Sequence, residues 1–244
     1  MSNPSRADDP TLSAAEIAQF SALAGQWWDP RGPMRPLHAM NPCRIGWITD
    51  GIAAHFGADA KPAILDLGCG AGLAAEALAV AGFPVLGVDA AEAAIAAGRA
   101  HGAAVPGLVY RVGRAEDLVA DGLRFPVVTA LEVIEHVPDP GAFLVLLAEL
   151  LAPGGLLFVS TLNRTKRAWL TAKFGAEYVL RLLPAGTHDW RQFVPPADLA
   201  RYGRAAGLHL ADATGMVMSP TGWRTGPDLS VNYIARLASL AERG

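Results

Sequence analysis

Two groups of residues in this 244-residue chain have the types and spacing that chemistry needs. The first is Gly68-Cys69-Gly70-Ala71-Gly72, which follows the apolar run Ile64-Leu65-Asp66-Leu67 and precedes an Ala- and Leu-rich helical stretch. Glycines let a backbone turn sharply and approach a ligand, because no Cβ intervenes. The helix that follows presents unpaired N–H groups and the positive end of its dipole to an anion. Asp89 closes the next apolar run, about twenty residues on, where a strand-end acid meets a ribose diol. That combination describes a pocket for a nucleoside carrying an anionic group.

The second group is Glu132-Val-Ile-Glu135-His136. If a helix begins there, positions i, i+3 and i+4 share one face, so two carboxylates and an imidazole converge. Hard oxygens plus one imidazole suit Mg2+, Mn2+ or Zn2+; without a metal, His136 is either a general base near neutral pH or, with the two acids, a residue that merely lines the pocket. A His–Asp pair in Gly186-Thr-His188-Asp189 is a second candidate base, ranked below His136. A dinucleotide loop would read G-x-G-x-x-G, and a phosphate loop would end in Gly-Lys-Ser/Thr; neither is present. Asp66 would repel a pyrophosphate but favours an ammonium or sulfonium. Asp66-Leu-Gly-Cys-Gly with an acidic second strand resembles motif I of class I S-adenosylmethionine (SAM) methyltransferases.

Stepping from these residues to what must hold them, strand-like apolar runs recur near 63–67, 84–88, 107–112, 126–131, 155–161, 207–214 and 230–237, with helical patterns between the first five. The alternation predicts an α/β, Rossmann-like, doubly wound and mainly parallel seven-stranded sheet, with ligands beyond the carboxyl ends of its strands. Residues 1–244 read as one domain. Helical segments near 12–27 and 44–56 form an N-terminal arm spanning 12–56, and 162–196 is an insertion after the fifth strand. The net charge of −3 argues against a nucleic-acid partner. Two cysteines, one of them in the nucleotide loop, argue against a disulfide framework. The N-terminal residues lack the pattern of a signal or transit peptide, and no apolar run is long enough to span a bilayer. A cytoplasmic protein, or one on a membrane surface, is expected.

The match extends past motif I. Trp27-Trp28-Asp29, Pro36-Leu37-His38, Asn41-Pro42-Cys43-Arg44, Glu132-Val-Ile-Glu-His-Val137, Ser160-Thr-Leu-Asn-Arg164, Gly175-Ala-Glu-Tyr178, Gly186-Thr-His-Asp189 and Val231-Asn-Tyr233 occur in that order. From about residue 16 to 237 the series resembles the ubiquinone-biosynthesis O-methyltransferases. The resemblance implies SAM as cofactor and methylation of the phenolic hydroxyl of 2-polyprenyl-6-hydroxyphenol and of 3-demethylubiquinol. It implies that Arg44, Gly68, Gly70, Asp89 and Leu131 hold SAM, Arg44 through its carboxylate. Glu132 and His136 become the catalytic pair, and Glu132, Glu135 and His136 the candidate ligands of Mg2+ or another divalent metal. Glu116 and Asp117 are candidates for the adenine amino group or solvated loop acids. Leu131 stands where methionine is a common choice beside the adenine.

A polyprenyl acceptor lives in the bilayer, so the enzyme should touch the inner face of the membrane. Residues 164–181 carry a net +4, and Leu170, Phe174, Tyr178 and Leu182 recur at four-residue intervals, which makes 164–183 a candidate contact with anionic lipid. Other proteins of the pathway are further expected partners. Two competing readings stay open: a SAM methyltransferase of a soluble phenol, and a non-catalytic SAM-binding assembly protein.

Overall fold

Strand β1 (Ile64–Leu67) is only four residues long, yet every one of them is buried, as a strand covered on both faces must be. The computed structural model describes residues 18, 21–165, 167–168, 192–220 and 222–239. β1 pairs in parallel with β2 (Val85–Asp89) on one side and β4 (Phe125–Leu131) on the other. β3 (Leu108–Val112) adds in parallel to β2, and β5 (Leu151–Leu162) to β4. The chain therefore reverses its winding between β1 and β4, which opens a crevice at their carboxyl ends. β6 (Leu208–Ser219), β7 (Gly222–Gly226) and β8 (Asn232–Ser239) run antiparallel, giving the order β3-β2-β1-β4-β5-β8-β6-β7.

Among the described residues eight strands form where seven were expected. The addition is β7, whose Gly222-Trp-Arg-Thr-Gly226 holds a single large apolar side chain and so carries no readable alternation. It pairs with the second half of β6, and Trp223 packs toward the first helix.

That helix, α1 (Arg35–Phe56), starts well before the expected residue 44. Pro36 sits at its N-terminus, where a missing N–H costs nothing, and Pro42 lies inside it. The stripe Met40, Ile45, Ile48 and Ile52 is buried against the sheet, and that packing outweighs the lost hydrogen bond at Pro42. α2 (Leu73–Val80) and α3 (Glu92–His101) cover the same face. α4 (Ala115–Ala120), α5 (Pro140–Glu149) and α6 (Pro196–Ala205) cover the other, around Leu118, Phe143, Leu144, Leu147 and Leu199.

Of the expected helix at 12–27, residues 12–17 and 19–20 lie outside the described residues. Residues 21–23 are helical and Ala24–Gln26 form a 3-10 turn. Leu23, Trp27 and Met34 pack with Ala71 and Leu73, so this part of the arm lies on the glycine loop. Trp28 stacks on His101 at a centroid distance of 3.5 Å, and His101 in turn meets Glu76 at 2.8 Å. No helix among the described residues is long and apolar enough to cross a membrane.

Candidate active site

The crevice contains a cavity of about 290 Å3. Gly68, Gly70, Asp89 and Leu131 line it, and so do Glu132, Glu135 and His136. Trp27, Met34 and Leu37 add an apolar cover from the arm and the start of α1. Two sequence motifs that are far apart in the chain thus face one space.

The glycine loop has backbone needs that only glycine meets at low cost. Gly70 has a φ of 56°, and a Cβ there would stand 2.1 Å from Cζ2 of Trp27. Its N–H donates to Asp89 Oδ2 at 2.8 Å, while Asp89 Oδ1 accepts from the Ala91 amide at 2.8 Å. The Gly68 and Cys69 amides both donate to the Val88 carbonyl. These loop amides tie the loop to β2 and orient Asp89. Burial pushes the Asp89 carboxyl upward, against the pull of these amides.

Beneath the loop, register places Asp66 beside Thr129, whose hydroxyl donates to Asp66 Oδ1 at 2.6 Å. Oδ2 meets no donor at hydrogen-bond geometry. Burial drives this carboxyl up to about 6, opposed by Thr129, by the Arg44 charge and by the Ala75 amide. The Ala75 amide, near the start of α2, thus acts on Asp66. Arg44 is outside the wall of the cavity and is 3% exposed. Its Nη2 donates to Asn41 Oδ1 at 3.0 Å, and its Nε has no partner. Burial lowers its basicity, and the charges of Glu132 and Asp66 pull it back up. An orphaned guanidinium N–H and an orphaned carboxylate oxygen suit the carboxylate and ammonium of an amino acid. SAM carries that group, and the donor set fits it.

Glu116 and Asp117 do not join the site. Neither lines the cavity, and Asp117 Oδ2 accepts the Arg114 amide at 2.9 Å at the start of α4.

The Glu132–His136 motif departs from its expected form. Residues 132–136 do not share a helix face: Glu132 has a φ of 58°, and Ile134–His136 is a single 3-10 turn. Ser160 Oγ donates to Glu132 Oε1 at 2.7 Å, and Thr161 Oγ1 donates to Glu135 Oε2 at 2.8 Å. Successive residues of a strand point to opposite faces, so β5 gives each carboxylate its own hydroxyl anchor. Among the described residues, no three His, Cys, Asp or Glu side chains are grouped so as to hold a metal ion. The preformed ligand trio is thus corrected to three donors on one cavity wall. By kind they still suit a divalent cation, because two carboxylates that repel each other sit beside an imidazole. Burial and the Glu132 charge push Glu135 up to about 7, and His136 pulls it down.

Raised carboxylates have a consequence for stability. Folded Asp66 and Glu135 hold their protons into a range where the unfolded chain has lost them. Stability from these groups therefore falls as pH rises from the ordinary carboxylate range to about 7. Glu135→Gln removes one of the two burdens and keeps an acceptor for Thr161. It should raise the melting temperature at pH 8 by several degrees, with the gain gone by about pH 4. A variant that melts lower than the parent at pH 8 would contradict this.

Several site residues were not singled out individually in the sequence: Thr129, Ser160, Thr161 and Asn232. The last three fall in quoted motifs, which was the available signal. Gly186-Thr-His188-Asp189 and Gly175-Ala-Glu-Tyr178 lie outside the described residues, as do Leu170, Lys173, Phe174, Arg181 and Leu182. Two cations of the expected membrane segment are described, and both are paired: Arg164 with Asp198 at 2.7 Å and Arg167 with Asp228 at 3.0 Å.

A family model described as a methyltransferase domain matches residues 44–213. The chain is 47% identical to the ubiquinone biosynthesis O-methyltransferase of Cereibacter sphaeroides, over 92% of this chain and 95% of that protein. It is 46% identical to the protein of the same name from Azorhizobium caulinodans, over 91% and 92%. The magnesium protoporphyrin IX methyltransferase of Synechocystis, solved with bound S-adenosylhomocysteine (SAH), shares the fold at a TM-score of 0.64 and 18% identity. That match covers 93% of this chain and 95% of the other.

Proposed function

Since the chain belongs to the ubiquinone biosynthesis O-methyltransferases, we propose a division of labour within its cavity and an acceptor to match. The protein is a SAM-dependent methyltransferase, and it acts as a single domain on polyprenyl-hydroxyphenol and demethylubiquinol-type acceptors. The observation that carries this reading is that Asp89 and the glycine loop line the same cavity as Glu132, Glu135 and His136.

Asp89 takes the ribose hydroxyls, because an ionised carboxylate offers two oxygens to adjacent O–H donors. Leu131 is the apolar shelf for the adenine. Gly68 and Gly70 let the backbone approach the methionine part, whose carboxylate goes to Arg44 and ammonium to Asp66. When bound, SAM supplies a methyl group on a positively charged sulfur. A phenol with a pKa of about 10 is about 0.1% ionised at pH 7, a handicap of about 4 kcal/mol. His136 accepts the phenol proton, and the oxygen forms its bond to the methyl carbon as the carbon–sulfur bond breaks and leaves neutral SAH. Glu132 orients the imidazole or the acceptor's second hydroxyl. Trp27 and Met34 exclude water, which strengthens these interactions.

A second reading rests on the kinds of donor that line the cavity. A divalent cation held by Glu132, Glu135 and His136 would relieve the repulsion between the carboxylates and stabilise a phenolate as a Lewis acid. Chelator-treated enzyme titrated with Mg2+ separates the two readings. A rate restored only by the ion assigns the trio to the metal, and full rate without it leaves the proton with His136.

The acceptor class is tested by turnover of a short-prenyl catechol against the same catechol without its tail. The prenylated compound should show at least ~10-fold higher kcat/KM, since burying a few methylenes is worth more than 1.4 kcal/mol; equal values would support a soluble acceptor. Contact with the membrane is proposed through 164–183. Lys173→Glu with Arg181→Glu should weaken co-sedimentation with anionic liposomes about 30-fold or more, at about 1 kcal/mol for each of the two surface cations lost. Undiminished binding would remove the support.

A further inference from the structure

Glu132 is the one described non-glycine residue with a left-handed backbone, a conformation that costs about 1 kcal/mol or more and persists where surroundings over-determine it. Its side chain is held from two strands. Ser160 on β5 donates to Oε1, and Asn232, the first residue of β8, places its Nδ2 3.3 Å from both Oε1 and Oε2. Register sets Asn232 opposite Leu162 on β5 and Met216 on β6, so the sheet fixes where the amide stands.

We infer that Asn232, with Ser160, is a positioning residue that fixes Glu132 for the acceptor. This rests on the reading of Glu132 given above. The amide orientation follows from charge, because a flipped amide would press Oδ1 against a carboxylate. Asn232 is 5% exposed, and its Oδ1 has no donor. A buried unpaired acceptor costs stability, so packing alone would be better served by leucine. What asparagine supplies is a donor without a charge: it steers the carboxylate and leaves its negative charge available, whereas Lys or Arg there would form an ion pair with it.

Asn232→Leu should lower kcat about 20-fold and Ser160→Ala about fivefold, the range for groups that orient reactive side chains. KM for SAM and calorimetric affinity for SAH should stay within about twofold, because neither residue touches the cofactor end. Asn232→Asp should fall below Asn232→Leu, since it sets a like charge beside Glu132. The deciding measurement is a double-mutant cycle. In a Glu132→Gln background, Asn232→Leu should cost less than about twofold in kcat, because the group it acts through is gone. A full additive loss there would mark Asn232 as merely structural and overturn the inference. So would wild-type kcat in both single variants. If Asn232→Leu does not fold, the same cycle with Ser160→Ala decides. Wild-type kcat in Glu132→Gln itself would instead overturn the reading of Glu132.

Discussion

Replacing Asp89 with alanine is expected to abolish measurable binding of SAM and SAH, with affinity falling at least ~100-fold. Two effects combine. The ribose loses a charged acceptor, at about 1.5–3 kcal/mol for a hydrogen bond to an ionised group. The loop also loses its anchor, since the Gly70 and Ala91 amides both donate to this carboxylate. Asp89→Asn retains one acceptor oxygen and should fall between alanine and the parent. Isothermal calorimetry with SAH reads all three, and a melting curve shows that the fold is intact. Undiminished affinity in Asp89→Ala would mean that the nucleoside sits elsewhere.

His136→Ala should leave SAH affinity within about twofold of the parent and lower kcat by about 10²–10⁴ at pH 7, the usual worth of a positioned acid–base group. The deficit should shrink as pH rises toward 10, because the phenol then ionises in water without help. The comparison is a pH–rate profile of both proteins with one catechol. A neutral-pH rate within threefold of the parent would move the proton to another group, with His188 the next candidate.

How far these sites could be read from the chain depended on distance along it. Gly68, Gly70, Asp89 and Leu131 sit at the tips of β1, β2 and β4, where an apolar run and its ending residue are local features. All four face the cavity. The starting point of α1 was hidden by Pro42, which locally signals a break; only the buried stripe on the sheet shows that the helix continues through it. The geometry at Glu132 and Glu135 was hidden for a different reason. Helical spacing placed them on one face, but the orientation of each is set by Ser160, Thr161 and Asn232, which reach them through strand pairing. No window along the sequence contains that information.

The alternation of Ser160 and Thr161 also constrains how this enzyme can change. A one-residue deletion in the paired part of β5 would exchange the anchors of the two acids, because side-chain direction inverts with every step. Length is therefore frozen where β5 meets β4 and β8. The paired register with β8 ends at Leu162, whose carbonyl accepts the Val194 amide at 3.1 Å. Methyl-transfer chemistry can thus drift only through concerted substitutions across neighbouring strands.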